Sequence, residues 1–149
     1  MPYRAVVQTA GGAFRIKVKT ALEAFAKGGP LQSLLLRYTY AVLIQVSQTA
    51  VCNRLHSVEQ RLCRWLLLSH DLVRSDELQM TQEYLSHILG GRRESVTAAA
   101  GCLQNADLIR YSRGNIKILN RRGLEAVVCE CYRVIKTESD RLALNTFKQ

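Results

Sequence analysis

Two short helical patterns separated by a pair of glycines constrain the fold of this chain most strongly. Within residues 82–89, the apolar side chains Leu85, Ile88 and Leu89 fall three and four positions apart, which predicts one buried helical face. The glycines at 90–91 interrupt the pattern, because glycine readily adopts the positive backbone dihedrals that end a helix in a tight turn. The sequence therefore predicts two short helices that cross and pack.

The second helix, at about 92–105, has a distinct outward face. Val96, Ala99 and Leu103 resume helical spacing as an apolar stripe, which predicts that they are buried. The residues left on the outside near its start are Arg92, Arg93, Glu94, Ser95, Thr97 and Ala98. In a helix-turn-helix this region enters the major groove of DNA. An ordinary helical hairpin with a solvated pair of arginines is the alternative.

A β-hairpin is predicted directly after the second helix. Residues 109–112 alternate in polarity as a short strand does, 113–115 supply turn residues, and 116–119 read as a returning strand. Arg113 and Lys117 place positive charge at and beside the tip. Such a hairpin forms the wing of a winged helix-turn-helix and would lie near phosphate. It would also cover the core, whether or not it touches DNA.

A long segment without proline or glycine precedes these elements. Residues 31–55 predict about 25 residues of continuous helix, or about 37 Å. Steps of four and three, typical of a coiled-coil seam, connect Leu31, Leu35, Tyr38, Val42, Gln45 and Thr49. This spacing favours parallel pairing with a second copy of the chain. A long core helix inside a monomer remains the alternative.

Helix-start signals divide the rest of the chain. Ser57, followed by Gln60, predicts a capping box at the start of the next helix, which should end near 69–71. Thr81 is a predicted N-cap, and with Gln82 it would place free backbone N–H groups where a DNA phosphate can bind. A last helix is predicted at about 121–136.

The first 28 residues differ from the remainder. Two short strands are predicted at 4–8 and 14–18 around the glycines at 11–12, followed by one or two helical turns at 20–26. Two strands do not make a stable sheet alone, so this region resembles the edge of a larger element. The predicted divisions are 1–28, 29–56 and 57–149.

Composition restricts the class of protein. With 149 residues and 48% hydrophobic side chains the chain can bury a real core, and a formal net charge of +9 favours a polyanionic partner. There is no apolar run of roughly 20 residues to span a bilayer, and no secretory signal. We therefore expect a cytoplasmic protein with no membrane partner.

The cysteines and histidines show no ligand spacing of the zinc-finger kind. Five cysteines, an odd number, predict no disulfide framework, and buried thiols on helices are usually core residues. These residues are Cys52, Cys63, Cys102, Cys129 and Cys131, with His56, His70 and His87. We expect no metal and no cofactor. Phosphate-binding GxxxxGK, GxSxG and HExxH motifs are absent, so we expect no enzyme.

Taken together, these segments resemble the Crp–Fnr family of bacterial transcription regulators. The resemblance rests on residues 34–71, on TQEYLSHILGGRRESVTAAAGCLQNADLIRYSRGNIKIL at 81–119, and on the helix containing CECY at 129–132. It implies a mainly α fold with a small β component, in which a long dimerisation helix precedes a winged helix-turn-helix domain. Residues 1–28 would then be a remnant of the family's effector-sensing β-barrel.

The resemblance also implies which residues contact DNA. The family's Arg-Glu-Thr-Val motif falls on residues 93–96, which makes Arg93 and Glu94 readers of base edges. Many members carry another arginine where this chain has Ala98, so its site preference should differ. The full base-reading set is Arg93, Glu94, Thr97 and Ala98. The phosphate set is Thr81, Gln82, Arg92, Ser95, Arg113 and Lys117.

The family's known effector sites are not matched here. Residues 1–28 lack the phosphate-binding glycine, acidic residue and arginine of a cyclic-nucleotide pocket. No cysteine precedes Cys52, so the N-terminal cluster of the iron–sulfur variant is missing as well. This agrees with the expectation that no cofactor is bound.

The leading hypothesis is a homodimeric regulator of transcription that binds specific double-stranded DNA sequences. RNA polymerase is a further candidate partner. The alternative hypothesis is a truncated interaction module, which pairs with a full-length relative and modulates it without sensing an effector.

Overall fold

The computed structural model describes residues 7, 11–73 and 75–144, with side chains described as far as residue 142. Within these ranges it contains seven helices and three strands. The predicted class, mainly α with a small β component, is confirmed. The elements are α1 (Val18–Ala26), α2 (Pro30–Leu55), α3 (Val58–Val73), β1 (Glu77–Gln79), α4 (Gln82–Leu89), α5 (Arg93–Asn105), β2 (Ile109–Ser112), β3 (Asn115–Ile118), α6 (Arg121–Val127) and α7 (Cys131–Leu144).

The chain divides into two compact units. One comprises residues 1–47 and 135–149, and the other comprises residues 48–134. Helix α2 runs without interruption over Pro30–Leu55, as its lack of glycine and proline predicted. In the described part of the chain, no helix is both long enough and apolar enough to cross a membrane.

The main core lies in the unit formed by residues 48–134. Helix α5 packs on α3 and α4, β2 packs on α5, and α3 also contacts α6. Burying each large aliphatic side chain contributes about 1.5–3 kcal/mol relative to exposure, so this cluster holds the unit together. Its fully buried members include Leu62, Leu66, Leu67, Leu85, Leu89, Val96, Leu103, Ile109, Ile116 and Leu124.

The predicted capping box begins α3. The Ser57 hydroxyl oxygen accepts a hydrogen bond from the Gln60 backbone N–H at 3.2 Å, and the Gln60 Oε1 accepts one from the Ser57 N–H at 3.2 Å. The two bonds satisfy backbone donors that have no partner inside the helix. Helix α3 continues to Val73, beyond the predicted end near 69–71.

The three strands form one antiparallel sheet in the order β1-β3-β2. The predicted hairpin is confirmed as β2 and β3, and Arg113 and Gly114 form a two-residue turn with φ values of 46° and 83°. Positive φ at both turn residues matches the twist of the flanking strands. Strand β1 was not predicted from the sequence; its Leu78 pairs with Ile116 of β3 and is buried.

A partly buried polar network joins the ends of three helices. Arg121 of α6 donates to Asp71 of α3 and to the Tyr132 hydroxyl of α7, both at 2.8 Å. The Tyr132 hydroxyl in turn donates to the other Asp71 oxygen at 3.0 Å. Burial, together with the hydrogen bond to the Asp71 carboxylate, raises the pKa of Tyr132 above its usual range. Tyr132 therefore keeps its proton and remains a donor.

The N-terminal strands were predicted less successfully. The predicted strand at 4–8 lies outside the described residues except for residue 7, which has no regular secondary structure. The predicted strand at 14–18 is wrong, because residues 11–17 have no regular secondary structure and α1 begins at Val18. An alternating apolar pattern does not form a strand without a partner for its backbone groups. The predicted helical turns at 20–26 are confirmed as part of α1.

Two glycines in helices provide a matched test of packing. A Cβ on Gly123 would collide with Leu108 and with the side chain of Asn120, which caps α6 by accepting from the Gly123 N–H at 2.8 Å. A Cβ on Gly101 in α5 would meet nothing within 4 Å. We expect Gly123→Ala to lower the free energy of unfolding by about 1–3 kcal/mol. We expect Gly101→Ala to raise it by about 0.5–1 kcal/mol.

Urea unfolding followed by circular dichroism measures both changes. If the free energy of unfolding changed with the same sign in both variants, that result would contradict the packing described for α6.

Candidate nucleic-acid interface

Helix α4 and the turn after it set the geometry of the site. The Thr81 side chain caps α4 by accepting from the Tyr84 backbone N–H at 3.2 Å, as predicted. Gly90 ends the helix in the left-handed conformation, with φ 60° and ψ 36°. Gly91 has no positive φ, so only one of the two glycines needs that freedom. Its backbone N–H donates to the Ser86 carbonyl at 3.2 Å and completes the turn.

Helix α5 separates a buried face from an exposed one. Val96, Ala99 and Leu103 are buried among α3 and α4, as predicted. The opposite face at the start of the helix is exposed. Its residues are Arg92, Arg93, Glu94, Ser95, Thr97 and Ala98. All four predicted base-reading residues therefore share one accessible surface.

Arg93 is paired in this structure. Its Nη2 lies 3.1 Å from Glu83 Oε1 of α4, and the two side chains are 60% and 64% exposed. An exposed ion pair of this kind contributes only about 0–1 kcal/mol, so Arg93 can exchange Glu83 for another acceptor at little cost. The Thr97 hydroxyl donates to the Arg93 carbonyl at 2.9 Å, which leaves its oxygen free to act as an acceptor.

Three predicted phosphate-binding residues come together at an open groove beside α4. The groove has a volume of about 440 Å³ and is lined by Thr81, Gln82, Tyr111, Arg113 and Gly114. It thus combines the N-terminal turn of a helix with the tip of the hairpin. Unpaired N–H groups and the helix dipole favour an anion at such a place, and the Arg113 side chain adds a positive charge.

A backbone hydrogen bond holds the two sides of this groove together. The N–H of Met80, which precedes α4, donates to the Gly114 carbonyl at the hairpin tip at 2.6 Å. The Tyr111 hydroxyl approaches the Met80 carbonyl at 3.5 Å, which adds a weaker contact. The hairpin tip is therefore fixed relative to the start of α4.

The other predicted phosphate residues lie elsewhere. Arg92 and Ser95 are exposed at the start of α5. Lys117 is in β3, opposite Glu77 of β1, and its Nζ lies 3.4 Å from the Glu77 carboxylate. It does not line the groove with Arg113.

The predicted dimerisation stripe lies on α2. Leu35, Tyr38, Val42 and Gln45 are exposed, whereas Leu31 and Thr49 are half-buried. Apolar exposure is not confined to this stripe, because other positions of α2 are exposed as well. These include Leu34, Leu36, Leu43 and Val46.

A cysteine and histidine cluster was not anticipated. Cys52 near the end of α2 and His56 directly after that helix meet Cys129 and Cys131, and the four ligand atoms all lie within 4.8 Å of one another. Two spacings in the sequence carry the signal: residues 52 and 56 are four positions apart, about one helical turn, and the pair at 129 and 131 flanks a single residue. Neither pair indicates a metal site by itself, because the two pairs become neighbours only in the folded chain.

The remaining cysteines are unrelated to this cluster. Cys63 belongs to the main core, and burial raises the pKa of its thiol to about 12, so it is an unreactive core residue. Cys102 is exposed on α5. His70 pairs with Asp76 at 2.8 Å, and His87 is exposed.

Comparison with known proteins agrees with this geometry. Residues 60–127 match the sequence profile of the Crp-like helix-turn-helix domain. Among solved structures, the chain is similar to one described as a transcriptional regulator of the Crp/Fnr family from Eubacterium rectale. That match has 23% identity and a TM-score of 0.56, and covers 77% of this chain and 51% of the other.

A second solved structure, the catabolite activator protein of Thermus thermophilus, is 19% identical with a TM-score of 0.42. The match covers 70% of this chain and 46% of the other. The chain thus spans about half the length of these two structures. No curated protein sequence matches it.

The sequence match covers α4, α5 and the hairpin, which are the elements that build the exposed face and the groove. The resemblance drawn from the sequence is therefore confirmed for this region. Residues 60–127 match the Crp-like helix-turn-helix domain, and 77% of the chain shares its fold with about half of the Eubacterium rectale structure.

Proposed function

We propose that this protein is a transcription regulator that binds specific DNA sequences as a homodimer. The observation that carries the proposal is the exposed start of α5, where Arg92 and Arg93 face solvent within a Crp-like helix-turn-helix domain. A recognition helix contacts base edges through this region. The family and its structural neighbours are regulators of transcription, not enzymes.

Base reading would depend on the charged pair that begins α5. The Arg93 guanidinium can donate two hydrogen bonds to guanine O6 and N7, and Glu94 can accept one from cytosine N4. The Ala98 methyl group can contact the methyl group of thymine. Because the Thr97 hydroxyl already donates to the Arg93 carbonyl, it would contribute as an acceptor or through its methyl group.

Phosphate binding would depend on the groove beside α4. Thr81, Gln82 and Arg113 line it together, so a backbone phosphate there would meet helix N–H groups and a guanidinium at once. Arg92 and Ser95 at the start of α5 would contact a neighbouring phosphate. The net charge of +9 supplies affinity that does not depend on sequence, through release of counterions.

The homodimer is supported by the exposed apolar residues of α2. Leu35, Tyr38 and Val42 follow the coiled-coil spacing and remain exposed in a single chain. Parallel pairing of two such helices would bury them. A dimer of helix-turn-helix domains reads two half-sites about 34 Å apart, which is one turn of DNA. The same surface could pair with a different chain, as the interaction-module alternative requires.

Selection from random duplex DNA at moderate salt tests the function directly. We expect enrichment of a pseudo-palindromic site with two half-sites about one helical turn apart. Failure to enrich any site, with only salt-sensitive binding to all duplexes, would reject specific recognition.

Two substitutions should separate base reading from phosphate binding. We expect Arg93→Ala to cost about 1–3 kcal/mol on the selected site and to relax the preference at one base position. We expect Lys117→Ala to weaken binding to all sequences alike and to lower the slope of log affinity against log salt by about 1. Fluorescence anisotropy on selected and random duplexes measures both effects. Equal losses on the two duplexes for Arg93→Ala would refute its role as a base reader.

Because Glu83 forms an ion pair with Arg93, we predict that a substitution of Glu83 raises the affinity for DNA. Replacing Glu83 with glutamine removes one negative charge beside Arg93 and leaves only a neutral amide oxygen, which competes with DNA for the guanidinium less strongly than a carboxylate does. We expect Glu83→Gln to bind DNA more tightly, by no more than about fivefold, because an exposed pair contributes about 0–1 kcal/mol.

Glu138→Gln is the matched control, since Glu138 also forms an exposed ion pair, with Arg141 of α7. Weaker binding by Glu83→Gln, or an equal gain in the control, would contradict the competition.

A charge on the predicted seam of α2 should break the dimer. We expect Val42→Glu to shift the protein from dimer to monomer, because the carboxylate would be buried without a partner. Ser47→Glu is the control, since Ser47 is exposed on α2 at the heptad position opposite the seam.

Analytical ultracentrifugation of the full chain measures the change. A wild-type chain that is monomeric at micromolar concentration, or dimerisation only after mixing with a longer relative, would contradict the homodimer.

A further inference from the structure

The cluster at the end of α2 has the composition and spacing of a metal site. The Cys52 and Cys129 sulfurs lie 3.6 Å apart. The Cys131 sulfur lies 3.4 Å from His56 Nδ1. All three cysteines are buried, and the His56 side chain is only 13% exposed. Three thiols and an imidazole thus converge in a region that is closed to solvent.

We propose that Cys52, His56, Cys129 and Cys131 bind one Zn²⁺ ion. Tetrahedral zinc with Zn–S near 2.3 Å and Zn–N near 2.0–2.1 Å places its ligand atoms about 3.5–3.8 Å apart. The two separations of 3.6 and 3.4 Å already fall close to that range. A ligand pair at the outer limit of 4.8 Å would close by about 1 Å through small rotations of the side chains.

The surroundings of the cluster match those of a zinc ligand shell. His56 Nδ1 faces the cluster, while its Nε2 lies 3.3 Å from the Glu130 carboxylate. A ligating histidine usually donates its second N–H to a carboxylate, which fixes the ring and its tautomer. The Gln48 amide donates to the Cys131 sulfur at 3.2 Å, which would stabilise a thiolate there.

A buried arginine balances the charge of such a site. Three thiolates and a divalent ion carry one net negative charge. Arg64 is only 3% exposed. Its Nη1 donates to the Thr49 hydroxyl at 3.1 Å. Its Nε has no hydrogen-bond partner among the described residues. Burial raises the pKa of the Cys52 thiol, and the charge of Arg64 opposes that rise.

The proposed site is structural. Four protein ligands leave no open position on tetrahedral zinc for water or substrate. The ion would join the end of α2 to the start of α7 and the residues just before it, and it would link Cys52 to Cys129, which are 77 positions apart in the sequence. Closing so long a loop restricts the unfolded chain. Binding of the metal would release protons from the thiols and add its free energy to folding.

A simple core of thiols accounts for less of the arrangement. It gives no reason for an imidazole to face Cys131 or for Glu130 to bind the far side of that ring. A disulfide between Cys52 and Cys129 would use two of the four groups and leave His56 and Cys131 unexplained. Zinc accounts for all four.

Cobalt substitution in the full chain tests the proposal. The protein is stripped of metal under reducing conditions and titrated with Co²⁺, and Zn²⁺ is then added. We expect one equivalent of Co²⁺ to give the visible spectrum of tetrahedral thiolate coordination, and one equivalent of Zn²⁺ to abolish it. We also expect zinc to raise the midpoint of thermal unfolding.

Variants identify the ligands. We expect that the titration of Cys131→Ser no longer saturates at one equivalent of Co²⁺ and that its cobalt spectrum differs from that of the wild type. Cys102→Ser, at an exposed thiol on α5, should behave as the wild type. We expect Glu130→Gln to keep the cobalt spectrum but to weaken zinc affinity by about 10- to 100-fold, because it alters only the partner of His56.

X-ray absorption at the zinc edge of the wild-type protein needs no variant. We expect three sulfur ligands near 2.3 Å and one nitrogen near 2.0–2.1 Å. The proposal is overturned if the chain takes up no stoichiometric Co²⁺ or Zn²⁺, or if Cys131→Ser binds as the wild type does. Formation of a Cys52–Cys129 disulfide in place of metal uptake would overturn it equally.

Discussion

The burial of one stripe of α5 determines the rest of the interface. Val96, Ala99 and Leu103 pack among α3 and α4, so the helix cannot rotate without exposing them. Burying the two larger side chains alone contributes about 1.5–3 kcal/mol each. The charged start of the helix is thereby directed to solvent. The orientation of Arg93 and its neighbours follows from packing beneath them, because nothing in the described part of the chain covers their outer face.

The hairpin tip and the start of α4 form the groove that we propose binds phosphate. The hydrogen bond from Met80 to Gly114 fixes the hairpin tip beside the capped start of α4. Charge is distributed unevenly over this surface: Arg93 and Lys117 are each paired with a glutamate, whereas Arg113 stands at the groove with the helix N-terminus. The ion pairs are exposed and weak, so phosphates and bases can compete for the cations.

Features specified by nearby residues were predictable from the sequence. The caps at Ser57 and Thr81, the left-handed Gly90 and the Arg113-Gly114 turn each depend on a few adjacent residues. Features that depend on distant partners were not predictable. Strand β1 has three residues and exists because β3 lies beside it. The cysteine cluster needs residues 77 positions apart, and the strand predicted at 14–18 has no partner among the described residues. The contacts to DNA and the α2 dimer remain predictions.

Methylation interference on the selected DNA site tests the central claim most directly. If the start of α5 reads guanine through Arg93, methylation of guanine N7 should block binding at one position in each of two half-sites about one helical turn apart. In Arg93→Ala that interference should disappear, while protection of the flanking phosphates should persist. Interference spread evenly along the duplex, or unchanged in Arg93→Ala, would contradict the proposed role of the helix.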